Sequence, residues 1–222
     1  MSKGGAWEAL DWAKTILIAL AAAFFVTNFI IINAVVPSGS MENTIMPGDR
    51  LFGSRLTYKF SEPERGDVVV FRYPVNEALL ERVGKDRRKY SEFLKEYDVR
   101  KINYIKRIIG LPGETIEIRD GRIYVDGSSK PLDEPYLKEK WTVENDGYLF
   151  EIPEGSYLML GDNRNDSADS RYWAGEAAML FGEAGFEISD EELYGLCFVK
   201  REAILGKAML RYWPLNRITA LR

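Results

Sequence analysis

A serine and a lysine are the residues in this chain best suited to act together. Ser40 lies in Pro37-Ser38-Gly39-Ser40-Met41, directly after an uncharged apolar stretch, Thr15 to Val36. The chain contains no histidine. A Ser-His-Asp triad is therefore impossible, and so are metalloprotease helices built on paired histidines. Serine is a weak nucleophile until a neighbouring base takes its proton. Here that base must be Asp, Glu, Lys or Tyr. An ordinary lysine, with a pKa near 10.4, is neutral in only about 0.04% of molecules at pH 7, roughly 4.6 kcal/mol against the active form. Burial lowers a lysine pKa by up to about 3–5 units. A lysine base must then sit among apolar residues with no carboxylate beside it.

Lys106 meets that demand. In Asn103-Tyr104-Ile105-Lys106-Arg107-Ile108-Ile109, strand alternation puts Tyr104, Lys106 and Ile108 on one face and Ile105, Arg107 and Ile109 on the other. The competing reading is a strand lysine that lays its stem on apolar neighbours and carries its charge to water. From the strand pattern alone, that bland reading is the commoner one. Most other lysines lie in charge-rich or turn segments and read as solvated surface. Cys197 is the only cysteine, in an apolar run, and reads as a small buried hydrophobe. A single cysteine forms no internal disulfide and no zinc cage.

The elements that must position these residues follow from the pattern around them. Thr15 to Val36 spans about 33 Å as a helix, against a hydrocarbon core of about 30 Å. It is longer than the apolar region of a cleaved signal peptide, and Ile32-Asn33-Ala34 is a poor cleavage site. The expectation is a membrane anchor over residues 1–36 and a domain outside the bilayer over 37–222. Ser40 would lie no more than roughly 15 Å from the end of that span. Lys3 and Lys14 are offset by Glu8 and Asp11, so charge alone gives no orientation.

Beyond the anchor the chain reads as mainly β. Strands are expected over Arg50–Gly53, Asp67–Tyr73, Asn103–Gly110, Tyr157–Leu160 and Cys197–Val199, with a last pair within Ala203–Tyr212. Thr115–Arg119 and Arg122–Val125 form a hairpin around Asp120-Gly121. Two segments break the rhythm. Residues 76–101 carry Leu79, Leu80, Val83, Tyr90, Phe93, Leu94 and Tyr97 at near-helical spacing. Residues 174–195 include a capping box at Ser189 and Glu192. Both read as helical insertions. Net charge is −4 with pI about 5.2, which excludes a nucleic-acid binder driven by phosphate contacts.

Four ordered boxes now carry a resemblance. They are Pro37-Ser38-Gly39-Ser40-Met41, Arg65-Gly66-Asp67-Val68-Val69-Val70-Phe71, Tyr104-Ile105-Lys106-Arg107-Ile108-Ile109-Gly110-Leu111-Pro112-Gly113, and Gly161-Asp162-Asn163-Arg164 with Ser167, Asp169, Ser170 and Arg171. In this order, behind an anchor, they resemble the bacterial type I signal (leader) peptidases, which are membrane-anchored Ser-Lys peptidases. The likeness runs from Asn28 to about Lys207. It implies that Ser40 attacks the scissile carbonyl and that neutral Lys106 is the base. The backbone N–H of Ser40 and the hydroxyl of Ser38 would form the oxyanion hole. Ser167 would hydrogen-bond and orient the Lys106 amine, while Asp162, Asp169 and Arg171 would brace the site through ion pairs. The resemblance further implies that residues 37–222 form an extracytoplasmic, signal-peptidase-like β domain with an apolar surface facing the bilayer. Its partners would be preprotein signal peptides with small residues three and one before the cut, the lipid bilayer and the secretion translocon.

The departures are specific. Asn43-Thr44 stands where the family has Pro-Thr, and Asn165-Asp166 reverses the usual order. The two insertions leave substrate range in question. No cofactor is expected. Gly161–Asp166 matches a calcium loop poorly, because Arg164 holds a ligand position. Trp141, Trp173 and Trp213 read as packing residues. Two other functions remain open, a self-cleaving Ser-Lys peptidase and a membrane-tethered scaffold that has kept the residues but not the activity. A penicillin-binding type enzyme needs Ser-x-x-Lys, a spacing this sequence lacks.

Overall fold

The computed structural model describes residues 3–84, 103–142 and 147–221. Helix α1, Lys3–Phe25, continues through a π-helical turn, Val26–Ile30. Leu10–Ile30 is long and apolar enough to cross a membrane. Its side chains find no protein cover; Leu17, Ile18 and Leu20 are all largely exposed.

The end of the expected span is corrected. Ile31–Val35 is not helix but a strand, β1, paired antiparallel with β2, Arg50–Ser54, so that Ile31 faces Ser54 and Val35 faces Arg50. A uniformly apolar run has no period from which to tell helix from strand. The β-branched residues Ile31, Ile32 and Val35 favour the pleated form once a partner strand is present. The boundary expected after residue 36 therefore moves back to Ile30. The ten residues from there to Ser40 reach at most about 36 Å.

The remaining elements are a short helix α2 (Thr57–Phe60), β3 (Val68–Arg72), α3 (Pro74–Val83), β4 (Asn103–Gly110), β5 (Thr115–Arg119), β6 (Arg122–Val125), β7 (Leu149–Glu151) and β8 (Ser156–Leu160). After these come α4 (Trp173–Glu183), α5 (Asp190–Gly195), β9 (Val199–Lys200), β10 (Ile204–Trp213) and β11 (Thr219–Ala220). The large sheet runs β1-β2-β10-β3-β4-β8-β9, with β11 beside β10. A smaller sheet runs β6-β5-β7. The fold is mainly β, as expected.

Several strand expectations need adjustment. The pair expected within Ala203–Tyr212 is one bulged strand, β10, that bridges β2 and β3. Its other partner is the unforeseen β11. Cys197 precedes β9 rather than starting it, although it is buried as expected. The β5–β6 hairpin turns at Asp120 and Gly121, which have φ of 50° and 66°. Left-handed backbone at both positions is what a two-residue hairpin with the sheet's own twist requires.

The helices cover one face of the large sheet. Leu79 and Val83 of α3 and Trp173, Ala177 and Phe181 of α4 pack with Phe71, Ile108 and Met159. Tyr90, Phe93, Leu94 and Tyr97 lie outside the described residues. The expected capping box is present at α5. The Ser189 hydroxyl accepts from the Glu192 N–H, and the Glu192 carboxylate accepts from the Ser189 N–H. The small sheet closes a second core, where Ile116, Ile118 and Ile123 meet Ile109, Leu158 and Leu160. Trp173 and Trp141 are core residues, whereas Trp213 is nearly half exposed. Strand β4 lies between the two cores, with Ile108 in one and Ile109 in the other.

Candidate active site

Ser40 follows β1 in a tight turn. The Glu42 N–H donates to the Gly39 carbonyl at 3.0 Å and the Ile45 N–H to the Met41 carbonyl at 2.8 Å. Met41 and Ile45 are fully buried and pin the turn to the core. Asn43 has φ of 86°. Proline, fixed near −65°, cannot adopt that angle, whereas asparagine tolerates it. The Asn43 amide also donates to the carbonyl of Tyr136 at 3.0 Å. The departure at this position thus has a local cause, a differently shaped loop fastened to the 136–137 backbone.

The structure brings Ser40 and Lys106 together. Lys106 Nζ lies 2.7 Å from Ser40 Oγ. The lysine is only 4% exposed. Burial pushes its amine down to about 8, against Asp169, Asp162 and Glu176, which hold it up; Arg171 works in the lowering direction. None of those carboxylates hydrogen-bonds the amine, because each is engaged elsewhere. Asp169 takes a bidentate contact from Arg171, at 2.7 and 2.8 Å. Asp162 takes one from Arg107, at 2.8 and 2.7 Å. Glu176 accepts from the Tyr73 hydroxyl. Tyr73 stacks on Tyr104 with ring centroids 4.4 Å apart, and the Tyr104 ring lies 5.4 Å from Lys106 Nζ. A dry aromatic wall therefore lines one side of the amine.

Ser38 Oγ is 3.4 Å from Ser40 Oγ, at the same mouth. The bracing residues Asp162, Asp169 and Arg171 are all buried and ion-paired. Asp169 also accepts from the Gly161 N–H at 3.0 Å, which fixes the loop behind the nucleophile. Ser167 differs from expectation. Its hydroxyl is buried and has no hydrogen-bond partner among the described residues, so the bond to Lys106 is not made in this arrangement. The amine points to Ser40 instead, and Ser167 is wedged against Gly161.

Several residues escaped the sequence reading. Arg107 is the partner of Asp162. A legible signal existed, since an arginine on an apolar strand face is almost never buried unpaired. Asn163 holds the nucleophile turn, with its N–H on the Ser40 carbonyl at 3.1 Å and its amide on the Gly39 carbonyl at 3.0 Å. Gly161 is required by space. A Cβ there would stand 2.2 Å from Ser167 Oγ and 2.4 Å from the Ser40 carbonyl oxygen. Gly161→Ala must displace the Ser40 loop, and a shift of about 1 Å in a reacting group costs about 10²-fold. We expect a loss of that order in the cleavage rate, with a folded protein by circular dichroism.

The pair opens into a cleft of about 760 Å³, lined by Ser38, Ser40, Tyr104, Lys106, Arg55 and Asp166 among others. Two free backbone edges border it. Among the described residues, strand β1 pairs only with β2, and residues 103–106 of β4 pair only with β3. An extended peptide can add to such edges by backbone hydrogen bonding. A serine hydroxyl beside a desolvated amine at the floor of a strand-edged cleft is equipped for acyl transfer from a peptide bond.

Residues 9–213 match the family described as signal peptidase, peptidase S26. The chain is 34% identical over 212 residues to a probable signal peptidase I-2 of Synechocystis, covering 96% of this chain and 77% of that protein. It is 32% identical to a signal peptidase I of Leptolyngbya laminosa, covering 96% and 83% respectively. It is 34% identical to signal peptidase I S of Bacillus subtilis, covering 73% and 78%.

Proposed function

We propose, given that this chain belongs to the signal peptidase family, peptidase S26, that Ser40 is the nucleophile and Lys106 the general base of its reaction. The protein is a serine endopeptidase that removes signal peptides from preproteins. The observation that carries the assignment of roles is the 2.7 Å approach of the buried Lys106 amine to the Ser40 hydroxyl.

The steps follow from that geometry. Neutral Lys106 takes the proton as Ser40 Oγ bonds to the scissile carbonyl carbon. The resulting oxyanion is met by the Ser40 N–H and the Ser38 hydroxyl. Collapse expels the new amino terminus, which receives the proton from Lys106, and leaves an ester on Ser40. Lys106 then deprotonates water, which attacks the ester, and returns that proton to Ser40 Oγ as the acid leaves. Ser167 orients the Lys106 amine after a rotation of its side chain, which would also give its hydroxyl a partner. Asp162, Asp169 and Arg171 hold the loop and touch no reacting atom.

The helix ending at Ile30 tethers the enzyme as a single membrane span, with the β domain on the extracytoplasmic face beside the secretion translocon. The exposed Phe52, Met209, Leu215 and Ile218 give that domain an apolar surface suited to rest on lipid.

The test is cleavage of a preprotein bearing an Ala-x-Ala site by purified full-length protein, with the mature amino terminus sequenced. The pH dependence supplies a second check. The neutral amine is the active form, so the rate falls as the pH drops below the lysine pKa. kcat/KM should rise with unit slope and level off above about 8. A limb near the carboxylate range would assign the base to an acid instead.

A further inference from the structure

A second cavity, of about 400 Å³, lies at the junction of the apolar helix and the β domain. Asn28 and Phe29 line it from the helix end, Arg55 and Lys59 from around α2, and Arg201 and Glu202 from the turn before β10. Three cations thus face one acid. Arg201 is partly compensated, by Glu62 at 2.9 Å and the Tyr58 carbonyl at 2.5 Å. Arg55 and Lys59 make no ion pair among the described residues. The Arg55 main-chain N–H donates to the Ile30 carbonyl at 2.8 Å, which sets this residue at the point where the helix ends. Its Nε is buried and has no hydrogen-bond partner among the described residues. Phe29, which lines the cavity, is widely exposed, as is Phe60, next in sequence to Lys59.

We propose that this cavity holds the phosphate of an anionic phospholipid from the leaflet at which the helix emerges. The inference rests on the membrane placement proposed above. Three features give the occupant its chemistry. Cations and the exposed Phe29, at the end of the apolar helix, suit a headgroup joined to an acyl chain. The Arg55 guanidinium and the Lys59 ammonium, which make no ion pair among the described residues, supply the charge for a phosphate. A net positive lining disfavours a choline ammonium and favours a headgroup with no cation. A free phosphate would satisfy the same donors, but it has no use for Phe29 or for the place at the helix end. Arg55 also lines the cleft that holds Ser40, so the bound lipid would lie against the wall of the peptide site.

The test uses the full chain in nanodiscs of phosphatidylcholine, alone or with one quarter phosphatidylglycerol. Lipid retained after transfer to detergent is counted by native mass spectrometry. Wild type should retain phosphatidylglycerol in preference to phosphatidylcholine. Arg55→Gln and Lys59→Gln should each weaken retention about fivefold, the worth of one cation at an anionic surface. Arg55→Lys and Lys59→Arg should restore it, which excludes a folding defect. Inorganic phosphate at equal concentration should not displace the lipid. Equal retention by wild type and the double Gln variant overturns the site, as does displacement by inorganic phosphate. Wild type that inserts but shows no lipid preference overturns the site alone. Wild type that fails to enter the nanodisc overturns the membrane placement and the site with it.

Discussion

Lys106→Met should leave no more than about 10⁻⁴ of the wild-type cleavage rate. Methionine keeps the length and apolar stem that the pocket packs, and it removes the one group able to take the Ser40 proton at 2.7 Å. General-base catalysis alone is worth about 10²–10⁴, and members of a unit that act together lose nearly everything when one is removed. Ser40→Ala should therefore cost as much, and the double variant no more than either single one. Lys106→Arg should fail equally, because a guanidinium keeps its proton. Stability should not suffer. A buried amine carries a desolvation cost that methionine avoids, so thermal unfolding of Lys106→Met should match or exceed wild type. Single-turnover cleavage of a preprotein is the measurement. A Lys106→Met enzyme within tenfold of wild type would remove Lys106 from the chemistry.

Asp162→Ala should produce the largest loss of stability, about 3–5 kcal/mol. Both carboxylate oxygens are occupied by Arg107, and Thr44 donates to the same group at 2.5 Å. The two side chains of the ion pair are 2% and 0% exposed. Truncation takes away the bidentate carboxylate while the guanidinium stays in the interior, held by the Gly66 carbonyl at 2.6 Å and the Tyr136 ring at 3.9 Å. Removing one partner of such a pair costs far more than the pair contributes over an apolar replacement. Asp162→Leu with Arg107→Met should accordingly recover most of the loss. The single variant has a kinetic signature as well. Asp162 holds the Lys106 amine up, so its removal should move the rising limb of kcat/KM to lower pH. Urea unfolding of the full chain, followed by its tryptophan fluorescence, gives the first effect. A midpoint unchanged from wild type would mean that Arg107 finds another acceptor at little cost.

Much of this site is legible in the sequence. The absence of histidine forced the base onto another residue, and the alternation of β4 put Lys106 on an apolar face opposite Arg107. That strand occupies Asn103–Gly110, the residues read from the pattern. The β5–β6 hairpin and the Ser189–Glu192 capping box were equally local, since each depends on residues within one turn of chain. Ile31–Val35 was misread because an apolar run carries no period, and its strand form depends on β2, which follows fifteen residues later. Arg107 could have been found by asking what neutralises a buried guanidinium. Gly161 could not, because its constraint is the proximity of two atoms from distant segments.

The sequence by itself determined the class of chemistry, a serine with no imidazole and a lysine in an apolar strand, because residue type and short-range period are properties of the chain alone. Only the tertiary structure decided that the amine is dry, that its neighbouring carboxylates are taken up by Arg107, Arg171 and Tyr73, and that Ser167 has no partner. Those are matters of distance between segments far apart in sequence. A pKa responds to burial and to charges within a few ångströms, and no linear pattern records which groups come that close.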